Sequence, residues 1–182
     1  MAEMTALQLA RSDLHRFGGG TSALSILKAL IGNNRSFKYT FWLRLCRSRN
    51  LILRLAARYM HRHLSIKYQI QIPKETVIGP GLYLGHATTI VVSSTAVIGK
   101  NCNLSHFVNI GSNHGKAANI GDDVYIGPNV SIVEDVEVGN NVTIGAGSVV
   151  VKDIESNATA AGNPCRVLNN SSPAQYIRHR VQ

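Results

Sequence analysis

VYIGPNVSIVEDVEVGNNVTIGAG, from Val124 to Gly147, divides without remainder into four six-residue blocks, each opening on Val and carrying Ile or Val at its third place. The frame extends both ways. Thirteen blocks carry an aliphatic third place, at Ile72, Ile78, Leu84, Ile90, Ile98, Leu104, Ile110, Ile120, Ile126, Ile132, Val138, Ile144 and Val150. Gly fills the fourth place in eight of them, at 79, 85, 99, 111, 121, 127, 139 and 145. In an extended chain, places one and three point to one face because strand side chains alternate. Gly after the second inward residue marks a turn, since a residue without Cβ accepts tight backbone angles cheaply. A strand-turn rhythm of fixed short period belongs to a parallel β-helix, whose rungs bury their apolar faces only by stacking. At three blocks to a coil, the thirteen blocks make a little over four coils.

Two irregularities interrupt the period. The block Thr88 to Thr95 is eight residues long, and four extra residues, His114 to Ala117, lie between Asn113 and Ala118. Extra residues in a tight coil must leave the wall as bulges or loops, which is where functional groups concentrate on a rigid scaffold.

This repeat, closed by GAGSVVVKDI (Gly145 to Ile154) and AGNPCRV (Ala161 to Val167), resembles the hexapeptide-repeat acyltransferases over residues 70 to 168. The resemblance implies a left-handed parallel β-helix of triangular section and a homotrimer. Left-handedness comes from that resemblance alone, because parallel crossovers are otherwise right-handed. The expected organisation is mainly β: a basic α-helical segment at 1–69, the β-helix at 70–154, and a closing segment and tail at 155–182.

The formal charge of +9 is concentrated. From Leu14 to Lys74 there are twelve Lys or Arg and no acid, while the remainder carries seven basic and ten acidic residues. Phe37 to Lys67 reads as helix, with Phe41, Leu45, Ile52, Leu55 and Tyr59 recurring at helical spacing and Arg44, Arg47, Arg54, Arg58 and Arg62 interleaved. It reads either as a helix packed under the prism with a solvated basic face, or as a peripheral attachment to an anionic membrane surface. No recognition motif points to nucleic acid. No apolar run reaches the roughly 20 residues that span a bilayer, and Met1 to Ala10 lacks a secretory signal, so a cytoplasmic location is expected, with peripheral contact at the inner membrane as the second reading. Cys46, Cys102 and Cys165 show neither metal spacing nor a disulfide framework. Cys102 occupies an inward first place and reads as a small core residue rather than a nucleophile.

Counting blocks in threes stacks those starting at Leu82, Cys102, Val124 and Val142 on one wall. Their fifth places are His86, His106, Pro128 and Ala146, so the two histidines are expected one coil apart, at roughly 4.8 Å of rise. A neutral imidazole suits acyl transfer from a thioester to a hydroxyl, taking the hydroxyl proton and returning it to the leaving thiolate. Backbone N–H groups near Gly111 and Ser112 are the sequence's candidates for binding the oxyanion.

LYLGHATTIVV (Leu82 to Val92) is similar to the segment in which serine acetyltransferases and their sugar-modifying relatives carry the catalytic base, which puts that role on His86. His106 is then a wall or substrate contact. His114, in IGSNHGK (Ile110 to Lys116), resembles a loop histidine of the xenobiotic acetyltransferases, and in serine acetyltransferases a loop from this place reaches the neighbouring subunit. By the same resemblance acetyl-CoA is the donor, its pantetheine passing Gly127, Pro128, Gly145 and Ala146, with Lys152 and Arg166 toward the nucleotide phosphates. A metal variant would need His86, His106 and His114 to converge, and no metal is expected.

The chain departs from serine acetyltransferases at four places. The family's acid before the catalytic histidine is Gly85 here, and the acid that orients the imidazole aligns with Gln71. The loop after Ile110 is four residues shorter than the family's and lacks its G-D-R-H-P, and only about 70 residues precede the prism. Without a carboxylate for an ammonium group, the expected acceptor is a hydroxyl of a saccharide or lipid-linked saccharide in surface polysaccharide biosynthesis, recognised by His106, Asn103, Asn109 and Asn113. Serine O-acetylation and a non-catalytic scaffold are the alternatives.

Overall fold

The computed structural model describes residues 4–113, 115–171 and 174–182. Four helices precede the repeat: α1 (Ala6–His15), α2 (Ala23–Ile31), α3 (Arg35–Leu45) and α4 (Leu51–Tyr68). The single helix expected over Phe37 to Lys67 is therefore two. Cys46 closes α3, and the Asn50 side chain accepts the Leu53 N–H at 3.0 Å to start α4, a local polar cap that competes successfully with helix continuation.

Two- and three-residue strands then wind a left-handed parallel β-helix with three walls. The first wall holds β1 (Ile70–Gln71), β4 (Ile90–Val92), β7 (Asn109–Ile110), β10 (Ser131–Ile132) and β13 (Val149–Val150). The second holds β2 (Val77–Ile78), β5 (Val97–Ile98), β8 (Asn119–Ile120) and β11 (Glu137–Val138). The third holds β3 (Tyr83–Leu84), β6 (Asn103–Leu104), β9 (Tyr125–Ile126) and β12 (Thr143–Ile144), and ends with β14 (Thr159–Ala161) and the antiparallel β15 (Arg166–Asn169). The inward aliphatic residues form one continuous core.

Register corrects one detail of the period. Ile70 pairs with Ile90, and Val92 pairs with Ile110, so the third place of the long block is Val92 and not Ile90. The two additional residues are Thr88 and Thr89, which lie in the turn between the third and first walls. Ile90 and Val92 both point inward, so the sequence frame could not choose between them. Gly115, Lys116 and Ala117 of the four-residue insertion lie before Ala118, on the edge between the first and second walls.

The helices plug the N-terminal end of the column, with Tyr39, Leu43 and Leu64 joining its core. Arg44 is buried, which revises the solvated basic face. Its guanidinium donates to both Asp13 carboxylate oxygens at 2.8 and 3.0 Å and to the Ile78 and Gly79 carbonyls at 2.7 and 2.6 Å. Arg16 is buried as well, donating to Gly81 O, Asn103 Oδ1 and Arg178 O. These two cations fasten α1 and α3 to the turn that leads into the third wall. Phe17 stacks on Tyr83 at 4.6 Å, and Tyr176 on Tyr125 at 4.8 Å, so the N-terminal segment and the tail both cover that wall.

Candidate active site

The edge between the third and first walls carries His86, His106, Pro128 and Ala146 one above another, as the wall pairings Leu84–Leu104, Leu104–Ile126 and Ile126–Ile144 require. The two imidazoles meet edge to face, with ring centroids 5.4 Å apart and planes at 84°. His86 is exposed, His106 half-buried, and the edge above them is lined by half-buried Pro128 and exposed Ala146 and Gly147. A Cβ at Gly147 would meet nothing within 4 Å, so this part of the edge is open.

The two histidines differ in backbone. In the upper coils a single residue per turn is left-handed here, Phe107, Asn129 or Gly147, and its N–H or that of its counterpart bonds the coil below, as Asn129 N does to His106 O at 3.0 Å. In the first coil the two extra residues break this pattern. His86 itself takes φ 58°, Thr89 takes φ 48°, and Phe107 N reaches Thr88 O at 3.5 Å. Left-handed geometry in a non-glycine residue stores roughly 1 kcal/mol or more, and such strain concentrates at functional positions. The wall beneath is held firmly: Ser36 Oγ of α3 donates to Leu84 O at 2.6 Å, and Gly85 N to Leu104 O at 2.7 Å.

The glycines of this edge have different reasons. A Cβ at Gly127 would lie 2.8 Å from Ile144 O, and one at Gly145 2.8 Å from Ala161 Cβ. Both are required by the stacking of one coil on the next. At Gly85 a Cβ would find only ordinary contacts, 3.5 Å to Ser105 Cα and 3.6 Å to Ser105 Oγ. Packing therefore leaves room for a side chain beside His86.

The remaining predicted residues are spread out. Asn103 is buried, accepting from Arg16 Nη2 at 2.7 Å and facing Tyr176 O at 3.4 Å, so it is a brace for the covering segments and not a substrate contact. An outward place reads as exposed in sequence, and the roof over this wall is what changes it. Asn109 stays exposed on the first wall, three residues beyond His106. Asn113 and Lys152 stand on the next edge, between the first and second walls, the Asn113 N–H donating to Glu134 Oε2 at 2.8 Å. The Gly111 N–H is taken by Ile132 O at 3.1 Å, which removes it as an oxyanion donor. Arg166, exposed, pairs with Ala161 above Gly145. His114 lies outside the described residues, and so does any metal set that includes it.

Sequence reasoning missed Phe107. It is 52% exposed, adopts φ 60° and sets its ring 5.4 Å from His106. An aromatic at a sixth place, where the coils above have Asn129 and Gly147, was the available signal. The sequence frame finds the long block Thr88 to Thr95 but puts Thr88 and Thr89 at its regular first and second places, so only strand pairing identifies them as the extra residues of this edge. The Cys102 thiol is fully buried and pushed up to about 12 by desolvation, which keeps it protonated and inert.

The bacterial transferase hexapeptide (six repeats) family matches residues 117–152. Serine acetyltransferase 3, mitochondrial, of Arabidopsis thaliana is 40% identical over 119 residues, 63% of this chain and 30% of that protein. The soybean serine acetyltransferase apoenzyme superposes with a TM-score of 0.71 at 30% identity, over 90% of this chain and 69% of that one. A serine acetyltransferase in complex with CoA gives 0.70 at 26% identity, over 90% and 69%. The chain spans 30 to 44% of the length of such curated relatives as the Arabidopsis and Escherichia coli enzymes. These relatives are serine acetyltransferases, and none of them supports the saccharide branch expected from the sequence.

Proposed function

The chain belongs to the hexapeptide-repeat acyltransferase family, and from that premise we propose that it moves acetyl from acetyl-CoA to a hydroxyl, with L-serine as acceptor and His86 as general base. The observation that carries this reading is the widened edge, where an exposed histidine in left-handed backbone faces a second imidazole beneath an open run of small residues. His86 takes the proton from the acceptor hydroxyl as its oxygen attacks the thioester carbonyl. The tetrahedral intermediate then expels the thiolate, which recovers that proton, leaving an O-acetyl ester and free CoA. His106 buttresses the His86 ring, and Pro128, Ala146 and Gly147 leave space for the donor's arm. The donor and acceptor assignments are supported by the serine acetyltransferase relatives and the CoA complex among them.

A homotrimer completes the proposal. Within one column Asn113 and Lys152 occupy a different edge from His86, so Lys152 serves the site of a neighbouring copy, the role that the resemblance gives to His114 as well. A second acceptor reading rests on Gly85: with no side chain at 85, the edge suits a neutral hydroxyl such as a sugar's as well as an ammonium-bearing one. Free thiol release from acetyl-CoA, measured with L-serine and with a panel of saccharides and followed by mass analysis of the products, tests both. Acetylation of serine above all saccharides supports the first reading; acetylation of saccharides alone replaces it with the second; no transfer to either defeats both.

A further inference from the structure

We propose that the outer face of α4 docks on an anionic lipid bilayer. On the inner face of this helix Leu64 joins the core of the column and Ala57 packs into the cluster between the helices. Its outer face is apolar where solvent should favour polar groups: Ile52 is 81% exposed, Leu55 55%, Tyr59 73% and Ile66 72%. Spacings of three, four and seven place these four in one stripe along the helix. At the roughly 100° per residue of an α-helix, Arg58 and Arg62 fall on one flank of the stripe and Lys67 on the other. A helix of this kind lies in the interfacial plane, its apolar side chains among the acyl chains and its cations at the headgroups. Helix α2, which packs on α3, repeats the pattern, exposing Leu24, Leu27 and Ile31 beside Lys28.

Charge selects the occupant. No acid occurs between Leu14 and Lys74, so neither flank of the stripe has a carboxylate of its own helix. Pairing with a second copy through the same face would set Arg58, Arg62 and Lys67 against their equivalents, a like-charge contact that an isologous interface cannot avoid. An anionic headgroup layer complements them. Among the described residues no helix is long and apolar enough to cross a membrane, so the contact is peripheral.

Docking would also orient the histidine edge. Gln69 closes α4 in left-handed geometry, Tyr68 O accepts the Thr89 N–H at 3.2 Å, and Thr89 Oγ1 donates to Gln69 Oε1 at 3.2 Å. Thr89 belongs to the widened turn that carries His86. The C-terminal end of the docking helix is thus pinned to the proposed site, whichever hydroxyl that site acetylates.

Co-sedimentation of the full chain with vesicles tests this. Equal mixtures of phosphatidylglycerol and phosphatidylcholine should carry it down at low salt, and phosphatidylcholine alone should not. A triple variant Arg58→Gln, Arg62→Gln, Lys67→Gln should lower the partition coefficient about a hundredfold, at about a factor of five per cation. Ile52→Ser with Leu55→Ser and Ile66→Ser should abolish pelleting, while thiol release with soluble substrates and the melting temperature stay at wild-type values. Absence of pelleting by the wild type overturns the proposal, as does pelleting that neither variant changes. Dissociation of the native oligomer in the serine variant, read by light scattering, also overturns it and gives the stripe to a second copy.

Discussion

Replacing Gly85 with Asp probes acceptor choice at the point where this chain and the serine acetyltransferase pattern part. A Cβ at residue 85 sits 3.5 to 3.7 Å from its nearest neighbours, Ser105 Cα, Ser105 Oγ and Leu104 O, so the wall accepts the side chain without moving. The new carboxylate stands one residue before His86 on a half-open edge. At about 4 Å and an effective dielectric near 20, a carboxylate and an ammonium attract by about 4 kcal/mol. Desolvation of both ions and solvent screening remove most of that, leaving about 1 to 2 kcal/mol. In kcat/KM this is about a five- to thirtyfold gain for L-serine. A saccharide acceptor carries no ammonium and should gain nothing. The assay is initial-rate thiol release with L-serine and with neutral sugars, alongside a melting curve that shows the wall intact. An unchanged rate with serine in a normally folded variant refutes the idea that Gly85 lies within reach of the acceptor's charge.

Three further outcomes follow from the same geometry. Arg44→Met leaves the Asp13 carboxylate buried without its partner and should lower stability by about 3–5 kcal/mol, or about 6–20 °C in melting temperature for a chain of this size. Adding Asp13→Leu to it should restore part of that loss, and strict additivity would refute the pairing. Phe107→Asn puts into the first turn the residue type that the coil above carries at Asn129, and should raise the melting temperature by about 2–4 °C while raising KM for one substrate; an unaltered KM removes Phe107 from the site. Cys102, its thiol near 12 in the folded chain, should resist iodoacetamide at pH 8 and react only on unfolding, with Cys102→Ala retaining catalysis, as peptide mass mapping and thiol-release rates will show.

The column was legible because its demands are local and repeated. Every rung needs two inward aliphatic residues and a turn, and one sequence frame reports all of them. Stacking of His86 on His106 followed from counting alone. What the frame could not place was the insertion: Ile90 and Val92 are both inward, so only strand pairing moves Thr88 and Thr89 onto the histidine edge. The helical segment was harder for a different reason. Cys46 to Asn50 contains neither Pro nor Gly, so the break between α3 and α4 depends on a cap that competes weakly in sequence. Arg44 looked solvated because its carboxylate, Asp13, lies 31 residues away on another helix. Asn103 failed likewise, its outward place being roofed by Arg16 and the tail. Periodicity reports which way a side chain leaves its own strand, and long-range covering decides what it meets there.

The most direct measurement compares acetyl-CoA consumption by His86→Asn and His106→Asn, each checked for an intact column by its melting curve. With His86 as the base, its loss should slow turnover by about a hundred- to ten-thousandfold, and loss of the buttressing His106 far less. Near-normal turnover in His86→Asn, or a larger defect in His106→Asn, contradicts the assignment.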